Sequence, residues 1–159
     1  MSGPLVVGIS DVKLSKAPGV IITYALGSCI GVCFYDPAVR LGALLHIMLP
    51  DAPAKIDNIF KYADTGIPET LRKMESLGAN RSRITAKIAG GAQMFQVPGD
   101  NTLGNIGKRN ADSVKMTLLK NRIRLLASDV GGSMARTVEF DTSSGIAKVR
   151  TYGRSDLDL

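Results

Sequence analysis

The stretch from Thr23 to Pro50 constrains this chain most. Two long apolar runs, Cys29–Tyr35 and Gly42–Leu49, flank the turn signal Asp36-Pro37. Together they hold both cysteines and the only histidine of the chain. Two such runs read as strands of an antiparallel hairpin. Taking Asp36–Val39 as a four-residue loop opposes Tyr35 to Arg40, and on that register Cys29 falls across from His46. Directly opposed residues have Cβ atoms roughly 4.5–5.5 Å apart, which lets an imidazole reach a thiol. Cys33 then faces Gly42, nearer the turn.

This pairing suits a cysteine nucleophile. A free thiol is mostly protonated at neutral pH, and a hydrogen-bonded imidazole can take its proton, so a thiolate–imidazolium pair is the expected attacking form. Gly27 and Ser28 offer a tight turn just before Cys29, and their backbone N–H groups, with that of Cys29, can form an oxyanion hole. Thr23 lies six residues before Cys29, and its hydroxyl can orient the other ring nitrogen of His46. A bland alternative stands beside this reading. A one-residue slip would place Cys29 and His46 on opposite faces, and Cys and a lone His on an apolar strand are also ordinary core residues. Cys33 reads as a small core residue.

The remaining pattern makes one α+β domain, with a core from about Leu5 to Tyr152 and a polar tail from Gly153 to Leu159. Strands are expected over Leu5–Ile9 and Val20–Leu26. A helix is expected from about Asn58 to Leu77, closed by Gly78 and interrupted by Pro68, where it kinks or divides. Ile84–Ala89 reads as a buried strand, and the Gly-rich stretch Gln93–Ile106 as irregular. A second helix covers Asn110–Lys120, with Ala111, Val114 and Leu118 on one face and Gly107 or Asn110 near its start. Strands Ile123–Ala127, Ala135–Phe140 and Ile146–Arg150 close the chain. The expected architecture packs helices against a largely antiparallel sheet.

Several function classes fall away. The net charge is +6, but the basic residues are scattered, Trp is absent and aromatics are 5%, which argues against a nucleic-acid platform. No apolar run approaches the roughly 20 residues that span a bilayer. Two cysteines and no signal peptide favour a reducing cytoplasm. One His and no CxxC leave no expected zinc site, and no cofactor or metal is expected. Gly104–Arg109 glances at a phosphate loop, but Thr102 stands where the first Gly is needed and Arg109 where Ser or Thr is needed. A structural turn is the expected role there.

The blocks Gly19–Pro37 and Gly42–Pro50, with Lys61–Asp64, Lys87–Phe95, Asn105–Asn110 and Asp129–Gly132 through Arg136, resemble the CheD family of chemoreceptor glutamine deamidases. The resemblance spans about Val6 to Arg150. It implies a three-layer sandwich with a mostly antiparallel sheet, similar to the deamidating cytotoxic necrotizing factor toxins. It implies Cys29 as nucleophile, His46 as general base and acid, and Thr23 as the third polar member. The implied reaction converts glutamine side chains of methyl-accepting chemotaxis proteins to glutamate through a thioester, with glutamyl methyl esters as further substrates. A CheC-type phosphatase is the implied second partner, and Met94 and Phe95 are placed at that contact. Gly66-Ile67-Pro68 departs from the unbroken helix usual in the family. Two other readings remain: an adaptor that docks receptors and stimulates the phosphatase without turnover, and a cysteine peptidase or small-amide amidase.

Overall fold

The computed structural model describes residues 3–94 and 105–159. It forms three layers, an outer sheet, a middle sheet and a pair of helices. The outer sheet has the order β1-β3-β8-β9-β10, from β1 (Leu5–Val6), β3 (Val20–Leu26), β8 (Arg136–Asp141), β9 (Ala147–Thr151) and β10 (Leu157–Asp158). The middle sheet has the order β2-β5-β4-β6-β7, from β2 (Asp11–Lys16), β4 (Ile30–Asp36), β5 (Leu41–Ile47), β6 (Thr85–Gly90) and β7 (Arg124–Val130). Helices α1 (Ala63–Ser76) and α2 (Ile106–Lys120) cover its far face. The expected single antiparallel sheet is therefore two mixed sheets, with a parallel edge pair in each, β1 with β3 and β6 with β7. None of the described helices is long and apolar enough to cross a membrane.

The middle position explains why β4 and β5 read as continuous apolar runs: both of their faces are buried. Ile30, Val32 and Phe34 meet the helices, together with Leu41, Ala43, Leu45 and Ile47. Cys33 and Leu44 face the outer sheet, where they pack with Ile21, Val138 and Phe140. Helix α1 closes the first core with Ala63, Ile67, Leu71 and Met74, spaced to lie on one face. It runs unbroken past Pro68. Its start is later than expected, because Asn58 caps a 3₁₀ turn, Ile59–Lys61, rather than the helix itself. Helix α2 starts earlier than expected, at Ile106, so Asn110 lies inside it and not at its cap.

Three further expectations need correction. Strand β2 was not expected, because four of its six residues are polar and it sits at a half-exposed edge. The polar tail is partly ordered: Leu157 pairs with Val149, and Leu159 packs against the core between the sheets. Most important, the β4–β5 register differs. Asp36 opposes Leu41, the loop is Pro37–Arg40, and His46 faces Gly31 rather than Cys29; Cys33 faces Leu44 rather than Gly42. The partners move by two residues, so every side chain keeps its face.

Asp36 accounts for this register. Its carboxylate is fully buried and accepts hydrogen bonds from the Ala38 and Asn80 N–H groups and from the Arg83 guanidinium, at 2.9–3.0 Å. Burial pushes its carboxyl up, and the Arg83 and backbone N–H bonds outweigh that, holding it below the usual carboxylate range. The residue is therefore tied into the strand end and cannot serve in the loop. Asp36→Ala strands those donors, and a loss of about 3 kcal/mol is expected in urea unfolding. A change under about 0.5 kcal/mol would show that the turn holds without it.

Candidate active site

The site lies between the two sheets. Thr23 belongs to β3 in the outer sheet and His46 to β5 in the middle sheet, and both are buried. Thr23 Oγ1 lies 2.8 Å from His46 Nδ1 and also 2.8 Å from the Val7 carbonyl oxygen. These two contacts fix the imidazole tautomer. The hydroxyl has one hydrogen, and a carbonyl can only accept, so Thr23 donates to Val7. Its oxygen must then accept, and Nδ1 must carry the proton. The lone pair of the neutral ring is left on Nε2.

Nε2 is buried and has no hydrogen-bond partner among the described residues. Burial also holds the ring neutral, pushing its pKa down to about 4. The result is a bare, uncharged proton acceptor inside the protein. Gly31 stands directly opposite His46 on β4; a Cβ there would stand 3.1 Å from Leu26 Cδ1 and 3.7 Å from Thr23 Cγ2.

Cys29 lies one residue before β4 and packs partly against the core between the sheets. Two residues from Gly31, it is diagonal to His46, a relation of about 7 Å in a regular antiparallel ladder and within reach of a long side chain. Burial raises the Cys29 thiol above its ordinary value, while its own backbone N–H pulls the other way. The expected attacking form is a thiolate–imidazolium pair; before attack, burial favours the neutral thiol and holds the imidazole neutral. Desolvation disfavours the charged form of each group. Cys33 is buried in the core as expected, with its thiol pushed up to about 12 by burial.

The turn carrying Cys29 is gripped from outside at three successive carbonyls. The Ala92 N–H donates to Gly27, the Asn110 side-chain amide to Ser28 and the Gly91 N–H to Cys29, at 2.8–2.9 Å. Behind this, the Arg136 guanidinium donates to the Gly90 and Gly131 carbonyls and pairs with Asp129. Sequence reasoning placed Asn110 only near the start of its helix and gave neither it nor Arg136 a part in the site. The signal available was the pair of blocks holding them, which stood out without a stated chemical reason. Met94 packs over the turn, its Cγ 3.3 Å from where a Gly27 Cβ would be, and it remains about half exposed. Phe95 lies outside the described residues. The described residues contain no group of three or more potential metal ligands.

Comparison with known proteins gives the family of the chain. The sequence model of the family described as CheD chemotactic sensory transduction matches residues 48–151. The chain is 47% identical over 158 residues to a probable chemoreceptor glutamine deamidase CheD of Syntrophomonas wolfei, covering 98% of each protein. It is 45% identical over 148 residues to the chemoreceptor glutamine deamidase CheD of Thermotoga maritima, covering 93% of this chain and 92% of that protein. The family match begins after His46, whereas the alignments with these two relatives take in 98% and 93% of the chain. With a family model covering well over half its length and relatives near 47% identity end to end, the chain belongs to the CheD family.

Proposed function

We propose that this protein is a chemoreceptor glutamine deamidase that uses Cys29 as nucleophile, His46 as base and acid, and Thr23 as the residue orienting the ring. The observation that carries this reading is the Thr23–His46 hydrogen bond, which leaves the lone pair on buried Nε2, without a partner among the described residues, on the strand paired with the one that Cys29 precedes. The names of the relatives support glutamine side chains on chemoreceptors as the substrate.

In the first half-reaction the Cys29 sulfur bonds to the carboxamide carbon while Nε2 takes the thiol proton. The Ser28 and Cys29 backbone N–H groups face the developing oxyanion, with Gly27 shaping the turn. The carbon–nitrogen bond then breaks as Nε2 returns its proton to the departing ammonia. In the second half-reaction Nε2 takes a proton from water, whose oxygen displaces the thiol and leaves glutamate. A glutamyl methyl ester would follow the same path with methanol as leaving group. The three-layer order, with nucleophile and base between the sheets, also supports a likeness to the deamidating cytotoxic necrotizing factor toxins. We place the protein in the cytoplasm with the receptor signalling domain, and a CheC-type phosphatase as a second partner docking over half-exposed Met94.

Mass spectrometry of a receptor cytoplasmic fragment tests the reading. Incubation with this protein is expected to convert particular glutamines to glutamate and leave the backbone whole. Cleaved fragments would instead identify a peptidase. An unchanged receptor that still binds the protein would identify an adaptor.

A further inference from the structure

Asn110 sits in α2, on the helical layer, and is completely buried. Its side-chain Nδ2 donates to two carbonyls, that of Ser28 at 2.9 Å and that of Met48 at 3.0 Å. Its orientation needs no assumption, because both partners are carbonyl oxygens and only the NH2 end can serve them. The other end, Oδ1, is buried and has no partner among the described residues. A helix that needed only to pack at this position would be better served by an apolar side chain of the same size, since half of this carboxamide is left unsatisfied. The two carbonyls it selects are informative. Ser28 precedes the nucleophile, and Met48 lies two residues beyond the base.

From this geometry we infer that Asn110 is a positioning residue for the reaction: it locks the Ser28–Cys29 peptide so that the Cys29 N–H is aimed at the developing oxyanion. The peptide unit is planar and trans, so its C=O and N–H point in opposite directions. Drawing the Ser28 oxygen toward α2 turns the Cys29 N–H away from the helices, to the side that carries the thiol. The same amide holds the end of β5 through Met48, so one side chain fixes nucleophile and base relative to each other. The inference rests on the deamidase reading and extends it to a residue that touches neither substrate nor thiol.

The test compares two reactions of Cys29. Deamidation needs the oxyanion donor, whereas alkylation by iodoacetamide needs the thiol alone. Asn110→Leu, which keeps the volume and removes the donors, is expected to lower kcat for deamidation about 100-fold with KM within about threefold, as loss of one oxyanion donor does. Its rate of Cys29 alkylation is expected to stay within about threefold of wild type. Asn110→Asp, which keeps the shape, is the second variant, with thermal unfolding of both recorded. Deamidation and alkylation falling together would make Asn110 merely structural and overturn the inference. So would wild-type kcat in either folded variant, or failure of both to fold. Wild type and Cys29→Ala run alongside: a wild type without turnover, or a Cys29→Ala protein that retains it, sinks the deamidase reading itself.

Discussion

Cys29→Ala is expected to abolish deamidation of a receptor fragment, and His46→Gln to reduce it by about 10³-fold or more, while both proteins stay folded. In the proposed mechanism the sulfur forms the acyl intermediate, so removing it removes the nucleophile. Removing Nε2 forfeits a base in one half-reaction and an acid in the other, and a positioned acid–base group is worth about 10²–10⁴. The two losses should not multiply in the double variant, because the residues act as a unit. A His46→Gln protein with more than about a tenth of wild-type kcat would remove His46 from the mechanism. The same substitution carries a stability signature. His46 titrates near 4 when folded, against about 6.5 in an open chain. Between those values the unfolded chain binds a proton that the native protein refuses, so stability falls as pH drops from about 6.5 to about 4. The full effect is about 3 kcal/mol below pH 4 and nothing above pH 7. His46→Gln should lose that part of the acid sensitivity.

The residues of the proposed site were more legible in the sequence than the geometry around them. Cys29, His46 and Thr23 came from residue type and spacing, and Thr23 does contact His46 as that reasoning required. The hairpin register did not come out, because Asp36-Pro37 marks a turn without saying whether Asp36 lies inside it. The deciding contacts come from Asn80 and Arg83, more than forty residues away. The error was harmless in one respect only: it moved partners by two and so preserved faces. The second sheet was illegible for a similar reason. Alternation separates a buried face from an exposed one, whereas β4 and β5 are buried on both, and nothing in a continuous apolar run tells which layer lies on which side. The thiol and imidazole charge states were likewise out of reach, since they depend on desolvation that only the closed layers create. Asn110 read as a helix cap because Asn commonly is one. Its role depends on carbonyls that the fold brings from residues 28 and 48.

Gly90→Ala is expected to have the largest effect on stability of any methyl-sized change near the site, about 3–5 kcal/mol, and to take the activity with it. Two independent costs meet there. Gly90 has φ +117°, which an L side chain rarely adopts. A Cβ would also overlap the Cys29 carbonyl oxygen and stand 3.3 Å from Ile30 Cα, backbone atoms that cannot swing aside. Nor can the Gly90 backbone retreat, because its carbonyl accepts from both the Arg136 guanidinium and the Gly131 N–H. The chain must therefore push the Cys29 peptide away, breaking the Gly91–Cys29 bond that grips the turn. Gly131→Ala separates the two costs. Gly131 has φ +91° but open space around its Cβ position, so it should show the backbone penalty alone, about 1 kcal/mol, with activity largely kept. Equal losses in the two variants would mean that φ alone matters and that the contact with Cys29 relaxes freely. A much larger loss at Gly90, with deamidation abolished in whatever fraction remains folded, would establish that β6 is held against the nucleophile and that the turn has no second way to sit.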